Sequence, residues 1–246
     1  TQEWGPSGRE EKVRQTISKF IEGYVDELFT DALGNLVAKK GKEGPKVMLA
    51  AHMDEIGVII THIDKKGFLR FSPIGGVKPF RILYGQVVFE NGIKGIIAPE
   101  KLDKIEDLKM EKLFIDIGAR DKGQAQKLIN IGDSGAFVGS FYHQQGCFIS
   151  KGMDDRAGCV ILIEVLKEIR DSKNQLFVVF TAQEEVGVRG ARTITHRLNP
   201  DIGIVVDVTI SADTPNPQRV SDVSLGKGPV ITVKDLSIIT DVRVKN

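Results

Sequence analysis

Four short motifs place one histidine and several carboxylates behind apolar segments or at the start of a helix. They are Ala-His-Met-Asp-Glu-Ile-Gly at 51–57, Gly-Met-Asp-Asp-Arg-Ala-Gly at 152–158, Gln-Glu-Glu-Val-Gly at 183–187 and Val-Asp-Val-Thr at 206–209. One imidazole and several carboxylate oxygens suit a divalent metal ion that accepts both nitrogen and oxygen ligands, above all zinc or cobalt. A single acidic pair would indicate little, so the prediction of a metal site depends on all four motifs meeting in the fold.

Three of the motifs follow apolar runs that have the length and composition of buried strands. The runs are 46–51, 176–181 and 202–206. Near-continuous apolar runs of this length are typical of strands covered on both faces in a parallel or mixed α/β sheet. Ligand sites in open sheets of this type collect at the carboxyl ends of the strands. We therefore expect His52, Glu184, Glu185 and Asp207 to meet at one edge of a sheet.

The fourth motif opens a predicted helix from Ala157 to Arg170, in which apolar residues recur at helical spacing. Carboxylates at a helix start are also favoured by the free backbone amides and the helix dipole, so Asp154 and Asp155 by themselves indicate no metal. Taken singly, each motif has an ordinary explanation as a structural histidine, a capping pair or a solvated glutamate pair. Chance placement of all four at equivalent ends of core elements is the weaker explanation.

In this order the four motifs resemble the M42 family of dinuclear metallo-aminopeptidases, which includes glutamyl and deblocking aminopeptidases and the tetrahedral TET particles. Three further stretches agree with the family: Gly-Pro-Ser-Gly-Arg-Glu at 5–10, Phe-Ile-Asp-Ile-Gly-Ala at 114–119 and Leu-Gly-Lys-Gly-Pro at 225–229. The resemblance covers essentially the whole chain. It implies an α/β fold, a mixed-sheet metallopeptidase domain of the phosphorylase/hydrolase-like type with a small inserted β-barrel domain.

The resemblance also implies a role for each motif residue. Four of them would be metal ligands: His52, Asp154, Glu185 and Asp207. His52 and Asp207 would bind one ion, Glu185 would bind the other, and Asp154 would bridge the two. Glu184 would be the general base and Asp54 would orient His52. A cis peptide bond between Asp154 and Asp155 is implied as well.

Elementary chemistry agrees with these roles. A ligating histidine usually donates its second ring N–H to a carboxylate, and Asp54 faces the same side as His52 if the strand continues through it. Adjacent residues of an extended segment point apart, so Glu185 could bind metal while Glu184 reaches the water. A bridging carboxylate that holds two ions about 3.5–4 Å apart would make a water between them hydroxide near neutral pH.

One family ligand has no counterpart in this sequence. The family takes a further histidine from a segment beyond the 225–229 stretch, whereas the four histidines are His52, His62, His143 and His196. We therefore expect two divalent ions per subunit, zinc or cobalt, with the second site incomplete and the C-terminal part of the catalytic domain missing from this chain. His62 and His143 have no carboxylate at ligand spacing, and His196 is expected to face solvent.

Composition excludes several other classes of protein. The 246 residues include 34 Lys and Arg against 33 Asp and Glu, a net charge of +1 without the basic bias of a nucleic-acid-binding protein. No apolar run approaches the ~20 residues of a membrane span, and no signal-peptide pattern is present. Cys147 and Cys159 are expected to be buried free thiols of a reducing compartment rather than a disulfide. These features favour a cytoplasmic enzyme with no nucleic-acid or membrane partner.

The chain divides into three parts. Ser7 to Glu10 is a capping-box pattern ahead of an amphipathic helix whose predicted apolar face is Val13, Ile17, Phe20 and Ile21, and short strands follow at 25–30 and 35–38. From 58 to 149 the sequence changes to short alternating stretches separated by glycines, typical of an inserted β-barrel, with one helix at 121–128. Residues 1–57 and 150–246 then form the catalytic domain. In the M42 family the equivalent insertion is similar to a dimerisation domain. The resemblance therefore implies a homo-oligomer in which dimers assemble to a dodecamer.

The predicted reaction is hydrolysis of the N-terminal residue from short peptides by a metal-bridged hydroxide, with Glu184 moving the proton. Three alternatives stay open. A metallo-carboxypeptidase or deacylase would use the same metal core. A glycoside hydrolase of the endoglucanase type also uses paired carboxylates, although one Trp and three Tyr give little aromatic platform for a sugar. A non-enzymatic binding protein is favoured only by the incomplete ligand set.

Overall fold

The computed structural model describes residues 1–217, 222–235 and 237–245. The chain separates into two units, residues 1–208 and residues 209–246, and each is described by itself. The larger unit holds the sheet, the barrel and all the predicted site residues. Within the described residues, no helix has the length and apolar character needed to cross a bilayer.

Thirteen strands are described. In chain order they are β1 Glu27–Thr30, β2 Leu36–Lys40, β3 Lys46–His52, β4 Gly57–Ile63, β5 Leu69–Ile74, β6 Gln86–Phe89, β7 Lys94–Pro99, β8 Leu113–Asp116, β9 Ser134–Phe137, β10 Tyr142–Gln144, β11 Cys147–Ile149, β12 Gln175–Thr181 and β13 Ile202–Val205.

The described α-helices vary from one turn to more than four. They are α1 Glu11–Ile21, α2 Pro79–Ile82, α3 Lys122–Gln126, α4 Met153–Glu168, α5 Arg189–Leu198 and α6 Val242–Lys245. Of these, α6 belongs to the smaller unit, whose described residues also form a β-bridge between Lys234 and Ile239.

The main sheet has five strands in the order β1-β2-β12-β3-β13. Strands β12 and β13 both run parallel to β3, whereas β2 runs antiparallel to β12. The three parallel strands therefore end at the same edge of the sheet, next to His52, Thr181 and Val205. The predicted mixed sheet, with the site motifs following its parallel strands, is confirmed.

Both faces of the sheet are covered, which explains why its central strands are apolar at nearly every position. On one face α1 and α4 pack against strand residues in a cluster that includes Val13, Ile17, Ile21, Leu162, Leu166, Val178 and Phe180. On the other face α5 contributes to a cluster of Val37, Met48, Phe177, Val179, Ile194 and Leu198. Burial of these side chains fixes the sheet and, with it, the edge where the motifs meet.

The predicted inserted barrel is confirmed. Strands β4 to β9 close in the order β4-β5-β8-β7-β6-β9 around a buried core that includes Val58, Ile60, Leu69, Val87, Ile97 and Ile115. The hairpin of β10 and β11 is a separate two-stranded sheet that also falls within residues 58–149. The domain limits at 57 and 150 and a dimerisation role for the insertion stay predictions.

Several local expectations were wrong. Helix α1 begins at Glu11, and the hydroxyl of Ser7 donates to Asp54 at 2.5 Å instead of capping the helix. Phe20 is 54% exposed because it points away from the buried face of α1. Both cysteines are free, as expected, but only Cys159 is buried, since Cys147 lies on the exposed β10–β11 hairpin.

The start of α5 makes a tight contact with the end of β12, and one substitution tests it. A methyl group added at Gly190 would overlap the backbone of Ala182 and the side-chain oxygen of Asn35. We expect Gly190→Ala to lower the free energy of unfolding by about 1–3 kcal/mol, as overpacking does in a closed site, measured by urea denaturation. Gly203→Ala in β13 is the control, because an added carbon there meets no described atom within 4 Å. Equal losses in the two variants would contradict the tight contact.

Candidate metal centre and active site

Three of the four predicted metal ligands meet at the sheet edge. His52 ends β3, Asp154 lies at the start of α4 and Asp207 follows β13; one ligand atom from each lies within 4.8 Å of the others. His52 Nε2 is 2.9 Å from Asp154 Oδ1. The imidazole is 3% exposed whereas both carboxylates are exposed. One side of the cluster is therefore anchored in the core and the other is open.

Asp54 contacts the ring of His52, although it does so from a loop. Strand β3 ends at His52, so the alternation of strand side chains does not place Asp54 as expected. Instead Nδ1 of His52 lies 3.1 Å from the backbone oxygen of Asp54 and 3.4 Å from its Oδ1. With Nδ1 held in this way, Nε2 faces Asp154 and the open side of the cluster.

Asp155, for which no metal or catalytic role was predicted, holds two backbone N–H groups next to the cluster. Its Oδ2 accepts from the backbone N–H of His52 at 3.2 Å and its Oδ1 accepts from the N–H of Gly158 at 3.1 Å. The capping interpretation of the acidic pair thus holds for Asp155, while Asp154 joins the cluster. The peptide bond between Asp154 and Asp155 is cis, as the resemblance implied.

Glu184 and Glu185 lie in a turn after β12 and not in an extended segment as expected. Gln183 has a φ of +57°, and the N–H groups of Glu184 and Glu185 donate to the two carboxylate oxygens of Asp54 at 2.9 and 3.2 Å. The turn brings Oε2 of Glu184 to 3.9 Å from Nε2 of His52. Glu184 therefore lies beside the nitrogen that would bind metal.

The charges of the cluster are mutually perturbing. Burial lowers the pKa of His52, but its hydrogen bonds with Asp154 and Asp54 outweigh that effect and raise the pKa to about 11. Burial, reinforced by the negative charge of Asp154, raises the pKa of Glu185 to about 7. In both groups, neighbouring carboxylates contribute to the raised pKa.

Three other carboxylates at the site also have raised pKa values. Burial is the largest cause of a raised pKa at Asp155, to about 7, and also at Glu184 and Asp207. A bound cation would relieve the accumulated charge in place of protons. With one imidazole nitrogen and several carboxylate oxygens as donors, the residues fit a divalent ion of the zinc or cobalt type.

A cleft of about 390 Å³ opens beside the cluster. His52, Glu184 and Asp207 line one part of it, and the rest is largely apolar, formed by residues such as Met48, Ala191 and Val205. A small organic group bound in the cleft would therefore lie against both the polar cluster and apolar walls.

Sequence reasoning missed an ionic group behind the site. Arg156 donates to the backbone oxygen of Met53 at 3.1 Å and to Glu55 at 3.2 Å, and Lys151 Nζ lies 2.8 Å from both oxygens of Glu55. Glu55 and Arg156 lie within two of the predicted motifs and Lys151 adjoins one, but no residue pattern links the three to each other. His196 is exposed, as expected, and His62 and His143 are exposed as well.

Comparison with known proteins agrees with this site. The sequence profile described as M42 glutamyl aminopeptidase matches residues 34–246. The chain belongs to the M42 family. A protein of Acetivibrio thermocellus provisionally named an aminopeptidase is 47% identical over 242 residues, 98% of this chain and 73% of its own length. The structure of the Pyrococcus horikoshii TET1 peptidase is 34% identical with a TM-score of 0.89, covering 100% of this chain and 76% of that one.

Membership of the M42 family makes the protein a metal-dependent aminopeptidase, a peptide hydrolase. A structure named endoglucanase from Thermotoga maritima is also similar, at 38% identity and a TM-score of 0.76 over 87% of this chain and 66% of that one. That name gives the glycoside-hydrolase alternative little weight, because the whole described site matches a peptidase family.

Metal binding can be tested one ligand at a time. We expect Asp207→Asn to weaken zinc or cobalt affinity at least about 100-fold, because losing only an outer partner of a ligand already costs about 10–100-fold. Calorimetric titration of the metal-free protein would measure it, and circular dichroism would show that the fold persists. Asp171→Asn, a change at an exposed residue outside the cluster, should bind as the unaltered protein does. Unchanged affinity in Asp207→Asn would remove Asp207 from the ligand set.

Proposed function

We propose that this site removes the N-terminal residue from short peptides, with Glu184 as general base. The observation that carries the proposal is the meeting of His52, Asp154 and Asp207 within 4.8 Å, with Glu184 3.9 Å from the same imidazole. A hydrolase needs a group that positions and polarises the scissile carbonyl and a base that activates water. The ligand cluster supplies the first and Glu184 the second.

The proposed ligand set serves two zinc or cobalt ions. His52, Asp154 and Asp207 would hold one, and Asp154 and Glu185 would contribute to the other. Such ions polarise a carbonyl and lower the pKa of water. Asp54 fixes the ring of His52, which keeps the ligand nitrogen directed at Asp154.

Glu184 would take the proton from the attacking water and deliver it to the departing amine. Burial raises the pKa of Glu184, which makes its carboxylate a stronger base than an exposed glutamate. Its side chain is half-buried and lines the cleft, so it can reach a bound substrate. Its backbone N–H is held by Asp54, which limits where the carboxylate can lie.

The surroundings favour the amino end of a peptide. The open side of the cluster presents the carboxylates of Asp154, Asp207, Glu184 and Glu185. Two bound divalent ions would offset most of this charge, and the Glu184 carboxylate, which is not a ligand in this proposal, would remain to attract a cationic amino terminus and repel a free carboxylate terminus. The first side chain of the peptide would occupy the apolar part of the adjoining cleft, although Arg192 also lines that cleft.

The oligomeric proposal comes from the structural neighbours. The P. horikoshii TET1 peptidase is described as assembling into a tetrahedron or a large octahedral shell. We propose that this chain is cytoplasmic and that it is also a homo-oligomer, with residues 58–149 as the dimerisation domain and dimers assembling to a dodecamer. Phe80 and Tyr84, 67% and 68% exposed, give this insertion apolar surface that an interface could cover.

The turnover of a Glu184 variant tests the proposed role of Glu184 as general base. We expect Glu184→Gln to lower kcat by about 10²–10⁴-fold, the usual contribution of general acid–base catalysis, while zinc binding stays within about twofold because Glu184 is a base and not a ligand in this proposal. Glu168→Gln, at an exposed position of α4, is the matched control. Activity of Glu184→Gln within tenfold of the unaltered protein would assign the proton transfer to another group.

Blocked peptides separate the aminopeptidase from the carboxypeptidase and deacylase alternatives. With zinc or cobalt added, we expect cleavage of a free tripeptide and of its C-terminal amide, and no cleavage of its N-acetylated form. Chelation should abolish both activities and the same metal should restore them. Loss of cleavage on C-terminal amidation instead would identify a carboxypeptidase, with Arg192 the first residue to test.

Assembly can be measured independently of activity. By light scattering after size-exclusion chromatography, the mass should exceed the 27.0 kDa of one chain. A double variant with Phe80→Lys and Tyr84→Lys should have a lower mass, because burying two lysine charges in an apolar interface costs free energy. Phe20→Lys is the control, at a 54% exposed residue outside the insertion. A 27.0 kDa mass for the unaltered protein would refute the oligomer.

A further inference from the structure

Four consecutive backbone N–H groups in and before the turn that carries Glu184 and Glu185 donate to side chains from elsewhere in the chain. Those of residues 182–185 donate, in order, to Asn35 Oδ1 at 2.9 Å, Glu10 Oε1 at 3.1 Å, Asp54 Oδ1 at 2.9 Å and Asp54 Oδ2 at 3.2 Å. Asn35, Glu10 and Asp54 are 0%, 4% and 0% exposed. We call this arrangement of three side chains and four N–H groups the amide clamp.

The turn needs such support because its local sequence does not fix it. Gln183 has a φ of +57°, a left-handed conformation that non-glycine residues adopt uncommonly. Backbone N–H groups that are shielded from water in this half-buried turn would also cost free energy if they were left unpaired. Hydrogen bonds to carboxylates are roughly twice as strong as those between neutral groups, so Glu10 and Asp54 are well suited to hold this conformation.

Ser7 fixes one member of the clamp. Its hydroxyl donates to Asp54 Oδ2 at 2.5 Å. The segment that carries Ser7 is itself anchored to Glu55, whose N–H donates to the oxygen of Gly5 at 3.1 Å and whose backbone oxygen accepts from the N–H of Ser7 at 3.3 Å. The start of the chain is therefore linked, through Asp54, to the backbone of Glu184 and Glu185.

The geometry points to Ser7 and Glu10 as positioning residues for Glu184. Neither residue touches the ligand cluster. Glu10 holds the backbone N–H of Gln183, the residue before the proposed base, and Ser7 sets the carboxylate that holds the N–H of Glu184 itself. Through these hydrogen bonds, Ser7 and Glu10 fix the backbone that carries the Glu184 carboxylate. The inference deepens the proposed function and, for its kinetic part, rests on it.

Matched substitutions separate positioning from simple stabilisation. Glu10→Met removes the acceptor at similar size, whereas Glu10→Gln keeps an oxygen for the Gln183 N–H. Ser7→Ala removes the donor to Asp54, and Ser7→Thr keeps it. Glu22→Met, at an exposed residue just after α1, controls for the loss of a carboxylate. If Glu10→Met does not fold, Ser7→Ala carries the test, since it deletes only one hydroxyl.

Hydrogen exchange of the backbone amides tests the clamp without any turnover. In Glu10→Met and in Ser7→Ala, exchange in a peptide spanning residues 182–188 should accelerate at least about tenfold, because local opening sets the exchange rate. Exchange in residues 57–63, within β4 of the barrel, should be unchanged. Unaltered exchange at 182–188 in both variants would overturn the clamp, whether or not the protein is an aminopeptidase.

Kinetics then test positioning. Glu10→Met and Ser7→Ala should lower kcat at least about tenfold with KM within about twofold, because misplacement by about 1 Å can cost a hundredfold. Glu10→Gln and Ser7→Thr should recover most of the loss. Faster exchange with unchanged kcat would overturn the positioning role. Failure of the proposed function itself would appear differently, as no turnover by the unaltered protein while the exchange result stands.

Discussion

The fully buried carboxylate of Asp54 is the interaction on which the rest of the site depends. Burial alone would raise its pKa, but hydrogen bonds from His52, Ser7 and the Glu184 N–H outweigh that cost and lower the pKa below its usual value. A buried charge is tolerated only when its oxygens are satisfied in this way. Removing any one donor leaves the buried carboxylate with fewer hydrogen bonds. Asp54 therefore couples the metal ligand His52, the proposed base Glu184 and the segment that carries Ser7.

The sheet supplies the second constraint. Because β12 and β13 both run parallel to β3, the three strands deliver their following loops to one edge, and α4 starts at the same place with Asp154. Apolar packing on both faces holds these elements rigidly, so the exposed carboxylates of the cluster need little support of their own. The barrel closes on its own core and adds none of the described ligands.

The strands, the inserted barrel and the chemistry-bearing residues could be predicted from the sequence because each depends on local pattern or on a distinctive combination of motifs. The runs ending near His52, Glu184 and Asp207 are strands as expected, and Asp154 begins a helix. The details that failed at the site involve contacts distant in sequence. Ser7 was expected to cap a helix but binds Asp54, and Glu184 and Glu185 were expected in an extended segment but lie in a held turn.

The sequence by itself determined which residues could bind metal and which elements carry them, since apolar periodicity and residue type are local properties. Only the tertiary structure decided the roles of Asp155, Arg156, Glu10 and Asn35. Their partners lie about a hundred or more positions away along the chain, as with Asp155 and the N–H of His52 or Glu10 and the N–H of Gln183. Each of these side chains could form hydrogen bonds with many local or distant partners. Packing of the sheet against its helices determines which partner comes within reach.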